Sequence, residues 1–150
     1  MKVANYMKTT VISISANASV QDAVQLMINH HIGTLPVIDE EQKLIGVVDL
    51  KRLLSLVMPD FVSMVENFDF LSDFGFFEQR MPSTDDLSRK VLEIMEKPKS
   101  VKVNSGLLHA AAVLNQHALK DLPVITEEGS LIGLVSHVDV GCALMSSWKK

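Results

Sequence analysis

A hydroxyl and a carboxylate stand three residues apart at the end of an apolar run, in Gly133-Leu134-Val135-Ser136-His137-Val138-Asp139. If a helix begins after Ser136, its free backbone N–H groups and the Ser136 hydroxyl suit an anion such as phosphate. Asp139, one turn into that helix, can accept two hydrogen bonds from a vicinal diol such as a ribose. The pair therefore predicts a nucleotide site. A serine followed three residues later by an acid is also the ordinary capping pattern of a helix start, so both interpretations stand on this stretch alone.

The composition is that of a globular domain. The 150 residues are 47% hydrophobic, and no apolar run approaches the roughly 18 residues that cross a membrane. The first residues, Met1 to Asn5, lack the apolar core of a signal peptide, so we expect a cytoplasmic protein without a membrane partner. The single cysteine, Cys142, excludes an internal disulfide and is assigned no chemistry. No part of the chain offers the basic surface that nucleic-acid binding needs, so we expect no nucleic-acid partner.

The chain contains an internal repeat with an offset of 87 residues. At this offset Leu35-Pro36-Val37-Ile38 aligns with Leu122-Pro123-Val124-Ile125, and Leu44-Ile45-Gly46 aligns with Leu131-Ile132-Gly133. Each copy predicts the same order of elements: a short strand, an amphipathic helix, a Pro-containing strand, a polar turn, a strand and a second helix. The predicted fold class is therefore α/β (α+β), with two pseudo-symmetric β-α-β-β-α repeats packed as a pair.

The first helix of each copy has amphipathic spacing. In copy one this helix starts after Ser19, and its apolar face is predicted to hold Val20, Ala23, Val24, Met27 and Ile28. In copy two the equivalent face is predicted to hold Leu107, Ala110, Ala111 and Leu114. A polar turn joins the two later strands of each copy, and Gly129 in the second of these turns is available for a positive φ.

Residues 58–92 separate the two copies and do not repeat. This segment holds all six phenylalanines, and residues 60–90 contain seven acidic and three basic residues, which accounts for the whole formal charge of −4. Aromatic bulk beside acids predicts a helical insert that packs on something while its polar edge stays in water. A satellite core and a protein interface are both open interpretations. We predict three units: repeat 1 at 1–57, the insert at 58–92 and repeat 2 at 93–150.

The two copies together resemble the tandem cystathionine-β-synthase (CBS) domain pair, or Bateman module. The landmarks are the apolar-apolar-Pro-Val and apolar-Gly-apolar-apolar strands in both copies, and Gly-apolar-apolar-Ser-x-x-Asp in the second. The resemblance covers residues 6–57 and 94–146, and the acidic insert is similar, more loosely, to that of small stand-alone bacterial CBS-pair proteins. The resemblance implies two pseudo-symmetric clefts where the copies meet, several of which in the family bind adenosine-containing ligands.

The resemblance also implies which residues line a first cleft. Asp139 would hold the ribose hydroxyls and Ser136 a phosphate, beside Val135 and His137 of the same motif. His137 is expected either to touch a phosphate or to face solvent at the helix start. The resemblance implies that Thr10, Val11 and Ile12 border the base. It implies that Gly33 and Thr34 line the same cleft, and that Lys120 and Asp121 lie on its phosphate side.

The second cleft departs from the family pattern. Asp49 stands where the motif has a hydroxyl, and Arg52 stands where it has the carboxylate. A carboxylate repels phosphate, and a guanidinium cannot accept hydrogen bonds from a ribose diol. We therefore expect this cleft to be empty or to take something other than a nucleoside phosphate, with Asp49 and Arg52 paired to each other. Its remaining border is expected at Lys99, Ser100 and Val101.

Motifs for catalysis and metal binding are missing from the sequence. His30 and His31 are adjacent and diverge by about 100° on a helix, which makes a poor chelate. There is no Gly-rich phosphate loop, His-Glu-x-x-His motif or nucleophile elbow. We expect no catalytic residue, no metal and no cofactor that acts as a catalyst.

The sequence therefore predicts a non-catalytic regulatory module that senses an adenine nucleotide (AMP, ADP or ATP) between its repeats. The resemblance also implies a homodimer, with close approach through Ala110-Ala111-Ala112, and an effector protein whose identity is open. The alternative is a protein-protein interaction module with vestigial clefts, acting through the acidic Phe-rich insert. Metal or oxidant sensing through the histidines and Cys142 is a third hypothesis.

Overall fold

Two repeats of the predicted order make up most of residues 1–57 and 81–149, the part of the chain that this computed structural model describes. After a 3-10 turn at Val3–Asn5, repeat 1 contains β1 (Ile14–Ser15), α1 (Val20–His30), β2 (Thr34–Ile38), β3 (Leu44–Asp49) and α2 (Leu50–Leu54). Two short helices follow, α3 (Thr84–Ser88) and α4 (Val91–Ile94). Repeat 2 contains β4 (Val101–Lys102), α5 (Leu107–Gln116), β5 (Asp121–Ile125), β6 (Leu131–Ser136) and α6 (His137–Ser146). The predicted β-α-β-β-α order is confirmed in both copies.

Each repeat has a three-stranded sheet with the same topology and register. In repeat 1, β1 runs parallel to β2, and β2 pairs antiparallel with β3 from Thr34↔Asp49 to Ile38↔Leu44. Repeat 2 has the same arrangement in β4, β5 and β6, from Asp121↔Ser136 to Ile125↔Leu131. The turns between the antiparallel strands have a positive φ at equivalent positions, 66° at Gln42 and 92° at Gly129. The prediction for Gly129 is confirmed.

Each sheet packs with its helices around a separate hydrophobic core. Val20, Ala23 and Met27 of α1 are at most 5% exposed, and Val24 packs against them, as predicted. Ile28 was expected on the same face but is 66% exposed. One residue advances about 100° around a helix, which places Ile28 outside the stripe centred between Val20 and Met27.

Helix α5 fills the core of repeat 2 with the residues that the spacing predicts. Leu107, Ala110 and Leu114 are buried, and Ala111 packs against them. Because Ala110 is fully buried within its own repeat, the expectation that it approaches a second module is wrong.

The segment before the first strand of each repeat packs into the core of the other repeat. Val3 is buried in the core of repeat 2, whereas Val91 and Ile94 of α4 are buried in the core of repeat 1. Equivalent backbone hydrogen bonds hold the two segments: Val3 N–H donates to Ser105 C=O (2.9 Å), and Val91 N–H donates to Ala18 C=O (2.8 Å). Each core is therefore completed by residues from outside the predicted bounds of its own repeat.

Most of the predicted Phe-rich insert, residues 58–80 with all six phenylalanines, lies outside the described residues. The described end of the insert begins at the exposed Met81 and includes α3, where the Ser83 hydroxyl accepts a hydrogen bond from Asp86 N–H (3.0 Å). Among the helices in residues 1–57 and 81–149, none has the length and apolar character needed to cross a membrane.

Candidate ligand-binding clefts

The two repeats meet along β2 and β5, where residues 87 apart in the sequence contact each other. The Thr34 hydroxyl donates to the Asp121 carboxylate, with Oγ1 3.0 Å from Oδ2. Two backbone hydrogen bonds of 3.0 Å join the turns, from Leu44 N–H to Gly129 C=O and from Leu131 N–H to Gln42 C=O. A local twofold axis therefore relates the repeats. We call the site around Ser136 and Asp139 the first cleft, and the equivalent site around Asp49 and Arg52 the second cleft.

In the first cleft Ser136 ends β6 and caps α6, which confirms the helix start expected from the sequence. The Ser136 hydroxyl accepts a hydrogen bond from Asp139 N–H, and Asp139 Oδ2 accepts one from Ser136 N–H, both at 3.0 Å. The Asp139 side chain is 24% exposed. Within the described residues its other oxygen, Oδ1, has no hydrogen-bond partner. Capping and ligand binding are therefore compatible, because the cap leaves one carboxylate oxygen able to accept.

Lys8 places a positive charge beside Asp139 that no sequence motif marks. Its Nζ lies 3.9 Å from Asp139 Oδ2, and its side chain is 64% exposed. Reciprocal backbone hydrogen bonds with Leu134, of 2.8 and 2.9 Å, hold Lys8 against β6. The equivalent residue in the other half is Glu96, which pairs with Val47 of β3 in the same way. The sequence obscures this correspondence because the offset changes from 87 to 88 in the segments before the repeats.

The other motif residues of the first cleft differ in exposure. His137 is exposed, and its N–H and ring Nδ1 lie 2.8 and 3.1 Å from the Lys120 carbonyl oxygen, which ties the start of α6 to the residue before β5. Val135 was expected to line the cleft, but it has no exposed surface and packs in the core of repeat 2. Its side chain therefore supports β6 and does not line the cleft.

The residues expected to border the base follow Lys8 in the chain. Thr10 is exposed, whereas Val11 and Ile12 are half-buried. Ile12 packs against the core of repeat 1, which anchors this segment to that repeat. Their predicted contact with a base would use backbone groups, and it stays a prediction.

A cavity of about 700 Å³ lies at the second cleft and is lined by both repeats. Gly33, Thr34, Lys120 and Asp121 line this cavity together with Asp49, although the resemblance assigns the first four to the first cleft. The structure therefore places these four residues, at or just before the starts of β2 and β5, in the second cleft. Of the four, Lys120 also contacts the start of α6, where its carbonyl accepts from His137 N–H. Side chains that no motif marks also line the cavity, among them Lys51, Glu96, Lys97 and His117.

Asp49 and Arg52 pair through the backbone rather than as an ion pair. Asp49 Oδ1 accepts a hydrogen bond from Arg52 N–H at 2.8 Å, as the N-cap of α2. The Arg52 side chain instead donates from Nε to the Ile94 carbonyl at 2.9 Å. The expectation that the two side chains pair with each other is therefore wrong, because the Ile94 carbonyl engages the guanidinium and the Asp49 carboxylate caps the helix.

The predicted border of the second cleft is only partly present. Lys99 lines the cavity. Val101 was also expected at this border, but it is 2% exposed and packs in the core of repeat 2. It does not border the cleft. Ser100 lies between them and is half-buried.

In residues 1–57 and 81–149 no three His, Cys, Asp or Glu side chains lie close enough together to coordinate a metal ion. Cys142 is exposed on α6.

The paired repeats define a known class of protein. The family model for the CBS domain matches residues 3–59 and 91–145. The chain belongs to the CBS domain family, and it carries two CBS domains in tandem.

Related proteins contain this pair in different contexts. The chain is 24% identical over 131 residues to inosine-5'-monophosphate dehydrogenase of Aquifex aeolicus, a match that covers 86% of this chain and 21% of the enzyme. It is 27% identical over 134 residues to the chloroplastic CBS domain-containing protein CBSX1 of Arabidopsis thaliana, covering 85% of this chain and 56% of CBSX1. The chain thus spans about a fifth of the dehydrogenase and just over half of CBSX1.

A solved structure of CBSX2 in complex with AMP is similar over almost the whole chain. The two align with a TM-score of 0.72 and 25% identity, covering 99% of this chain and 98% of CBSX2. The similarity therefore includes both repeats.

Proposed function

We propose that this CBS pair is a regulatory module that binds an adenine nucleotide in the first cleft. The observation that carries the proposal is the Ser136–Asp139 pair at the start of the ten-residue helix α6, with Asp139 Oδ1 unpaired among the described residues. The AMP complex of the similar protein CBSX2 supports the same class of ligand.

Each part of the nucleotide has a chemically matched group in the first cleft. Asp139 Oδ1 accepts a hydrogen bond from a ribose hydroxyl. The phosphate binds at the Ser136 hydroxyl and the start of α6, where the helix dipole favours negative charge. Lys8 supplies a further positive charge, and Thr10 and Val11 border the base.

In this proposal a ligand acts on the arrangement of the repeats because it contacts residues from both halves of the chain. Lys8 and Thr10 precede repeat 1, whereas Ser136 and Asp139 belong to repeat 2. A nucleotide that contacts both sets favours the arrangement in which they converge, and its binding energy shifts the population accordingly. In this proposal an effector protein responds to that shift and the module itself catalyses no reaction. The dehydrogenase match covers a fifth of that enzyme and does not extend its activity to this chain.

The proposal is tested by thermal unfolding of the purified protein with AMP, ADP, ATP, S-adenosylmethionine and GTP. A ligand present at a hundred times its Kd adds about 2.7 kcal/mol, which raises Tm by about 5–10 °C for a chain of this size. We expect adenosine compounds to raise the Tm of the unmodified protein, and we expect this rise to be absent in Asp139→Ala.

Asp22→Ala is the matched control. Asp22 forms the same capping box with Ser19 at the start of α1, with both hydrogen bonds at 3.1 Å, on the exposed surface of repeat 1. This control variant loses an equivalent helix cap, and its Tm is still expected to rise when the nucleotide is added. A shift that persists in Asp139→Ala, or that no adenosine compound produces, would contradict the proposal.

We also propose that the module forms a homodimer through α6. Val138, Cys142 and Met145 follow the i, i+4, i+7 spacing of one helix face, and all three are exposed. Trp148, just after the helix, is 74% exposed. A continuous apolar stripe of this kind favours burial against a second copy. The interaction role of the Phe-rich insert concerns residues outside the described part of the chain, and it stays a prediction, as does the cytoplasmic location.

A further inference from the structure

An open pocket lies in repeat 1 at the end of the sheet away from the second cleft. Its volume is about 370 Å³, and its lining includes Ile38, which ends β2, and Ile45, near the start of β3. Thr34 and Asp49, which line the second cleft, stand at the opposite ends of the same two strands. From one end of β2 to the other the strand rises about 13 Å. The pocket is therefore separate from the ligand clefts.

The pocket combines apolar and acidic side chains, and we call it the acidic pocket. Three apolar residues line it and are half-buried: Ala16, Ile38 and Ile45. Its third acid besides Glu40 and Glu41 is Asp39, whose Oδ1 is engaged because it accepts from Glu41 N–H and Lys43 N–H, both at 2.9 Å. Glu40 and Glu41 are exposed, and within residues 1–57 and 81–149 neither forms an ion pair. These two carboxylates are therefore available to a cation.

In repeat 2 the equivalent of Glu40 binds a lysine. This residue is Glu127, at the offset of 87, and its Oε2 lies 2.7 Å from Lys102 Nζ. Lys102 is itself the equivalent of Ser15, which ends β1 and lines the acidic pocket. A neutral hydroxyl on a short side chain does not balance the charge of a carboxylate. Repeat 1 therefore keeps the acidic group and lacks the ammonium group.

Two further lysines cover the same surface of repeat 2. Lys43 Nζ donates to the Glu128 carbonyl at 2.6 Å, and Lys2 Nζ donates to the Asn104 carbonyl at 3.0 Å. The corresponding residues of repeat 1 both line the acidic pocket: Glu41 and Asn17. In the part of the chain that the structure describes, no lysine side chain donates to their carbonyls. Repeat 1 thus presents the same acceptors without the lysines that engage them in repeat 2.

The mixed lining suits a lysine side chain better than a metal ion. A lysine packs its four-carbon stem on apolar groups while its ammonium group donates to carboxylate and carbonyl oxygens. Among the described residues no three acidic, histidine or cysteine side chains lie close enough together to coordinate a metal ion. The pocket is open to solvent, whereas small-molecule sites bury roughly 70–90% of their ligand. A lysine presented by a protein gains further contacts around the pocket that a free amine does not.

We propose that the acidic pocket docks a lysine side chain of a partner protein. The ammonium group takes the position at Glu40 that the Lys102 ammonium takes at Glu127 in repeat 2. The proposal goes beyond the nucleotide site and does not depend on it, because the acidic pocket is formed by repeat 1 alone at the other end of the sheet.

The test is an NMR titration of the isotopically labelled full chain with a capped pentapeptide of alternating alanine and lysine, at constant ionic strength. We expect saturable shifts at the backbone amides of Asn17, Glu41 and Ile45. The same peptide with acetylated lysines keeps the side-chain stems but loses the charge, and it is expected to cause no shifts at these amides.

Two double variants separate the pocket from general charge attraction. Glu40→Gln/Glu41→Gln is expected to weaken binding of the pentapeptide at least fivefold. The matched control Glu127→Gln/Glu128→Gln makes the same change in net charge on repeat 2, and it is expected to retain binding. Asp39 is left unchanged in both variants because it holds the turn before β3.

Ser15→Lys introduces into repeat 1 the ammonium group that Lys102 supplies in repeat 2. We expect this variant to pair with Glu40 and to lose binding of the pentapeptide. Its stability is expected to change little, because an exposed ion pair contributes little to folding.

Several results would overturn the proposal. Equal weakening in the two glutamate double variants would show general charge attraction, and shifts confined to residues outside the acidic pocket would place the peptide elsewhere. An unmodified protein that does not bind the pentapeptide, or that binds the acetylated form equally well, would also contradict it. A change from dimer to monomer in Glu40→Gln/Glu41→Gln, measured by light scattering, would show that a second copy of this chain occupies the pocket instead.

Discussion

The Thr34 hydroxyl donates a hydrogen bond to the Asp121 carboxylate, and these two residues occupy equivalent positions 87 residues apart in the two repeats. Identical positions therefore carry complementary groups where the repeats meet, a donor in one copy and an acceptor in the other. Both residues begin strands, and the strands lead away into separate cores. The contact joins the repeats at the second cleft, whose lining includes both residues.

Thr34→Val keeps the size of the side chain but removes the donor. Because the Asp121 side chain is only partly exposed, we expect the loss of its partner to lower the free energy of unfolding by about 1–2 kcal/mol in urea denaturation. Thr9→Val, at an exposed position, should leave that value nearly unchanged. If Thr34→Val lowers stability equally in an Asp121→Ala background, the effect does not come from this hydrogen bond.

Lys8→Met tests the charge beside Asp139. The side chain is mostly exposed, so we expect little change in stability. Because the ammonium group favours the phosphate, AMP should bind roughly tenfold more weakly, about 1.4 kcal/mol, while the binding of adenosine stays the same. The measurement is calorimetric titration with the two ligands. Equal weakening for adenosine and AMP would assign Lys8 a role in shaping the cleft and not in holding phosphate.

Gly133→Ala tests the contact between β6 and the segment before repeat 1. A Cβ at residue 133 would lie 2.5 Å from Met7 Sδ and 3.1 Å from the Lys8 carbonyl oxygen. The Met7 side chain must then move and the Lys8 carbonyl must give way by a few tenths of an ångström. We expect a loss of about 1–3 kcal/mol in denaturant unfolding together with weaker AMP binding.

Gly141→Ala is the control for the glycine substitution. Apart from the backbone of α6 itself, no atom of the described residues lies within 4 Å of a Cβ at residue 141, which is inside α6. The change is expected to stabilise the protein by up to about 1 kcal/mol, because alanine favours a helix over glycine. If Gly133→Ala has the same effect as the control, the segment is not held as tightly as the structure indicates.

Ile94→Ala tests the exchange of core residues between the repeats. Ile94 is 1% exposed in the core of repeat 1, although it directly precedes repeat 2 in sequence. We expect a loss of about 2–5 kcal/mol and one calorimetric transition for both repeats, since each completes the core of the other. Leu92→Ala, in the same helix but 52% exposed, should have little effect. Two separate transitions would show that the repeats unfold independently.

Met145→Glu tests the proposed dimer. A charge in the apolar stripe of α6 would be buried at the interface, so we expect light scattering during size-exclusion chromatography to change from dimer to monomer. Ile28→Glu introduces the same charge at another exposed apolar residue, on α1, and should not change the mass. An unmodified protein that is monomeric at high concentration would rule out this interface.

The local elements of the structure could be predicted from the sequence. The repeat, the strand order, the positive φ of Gly129 and the cap at Ser136 depend on residues a few positions apart, and the structure has each of them. The error at Ile28 has the same origin, since spacing along α1 indicates a face but not its width. The Asp49–Arg52 pair was expected from proximity in sequence, yet the Arg52 guanidinium binds a carbonyl 42 residues away.

The sequence by itself determined the class of protein and the helix cap at Ser136, because helix caps and hydrophobic periods are set by neighbouring residues. The tertiary structure decided which distant groups meet. Lys8 lies beside Asp139, and Ile94 packs in repeat 1, because the segments before the repeats cross to the opposite partner. The residues that line the second cleft come from both repeats and the segment between them. Long-range packing brings these residues together, and no local pattern encodes it.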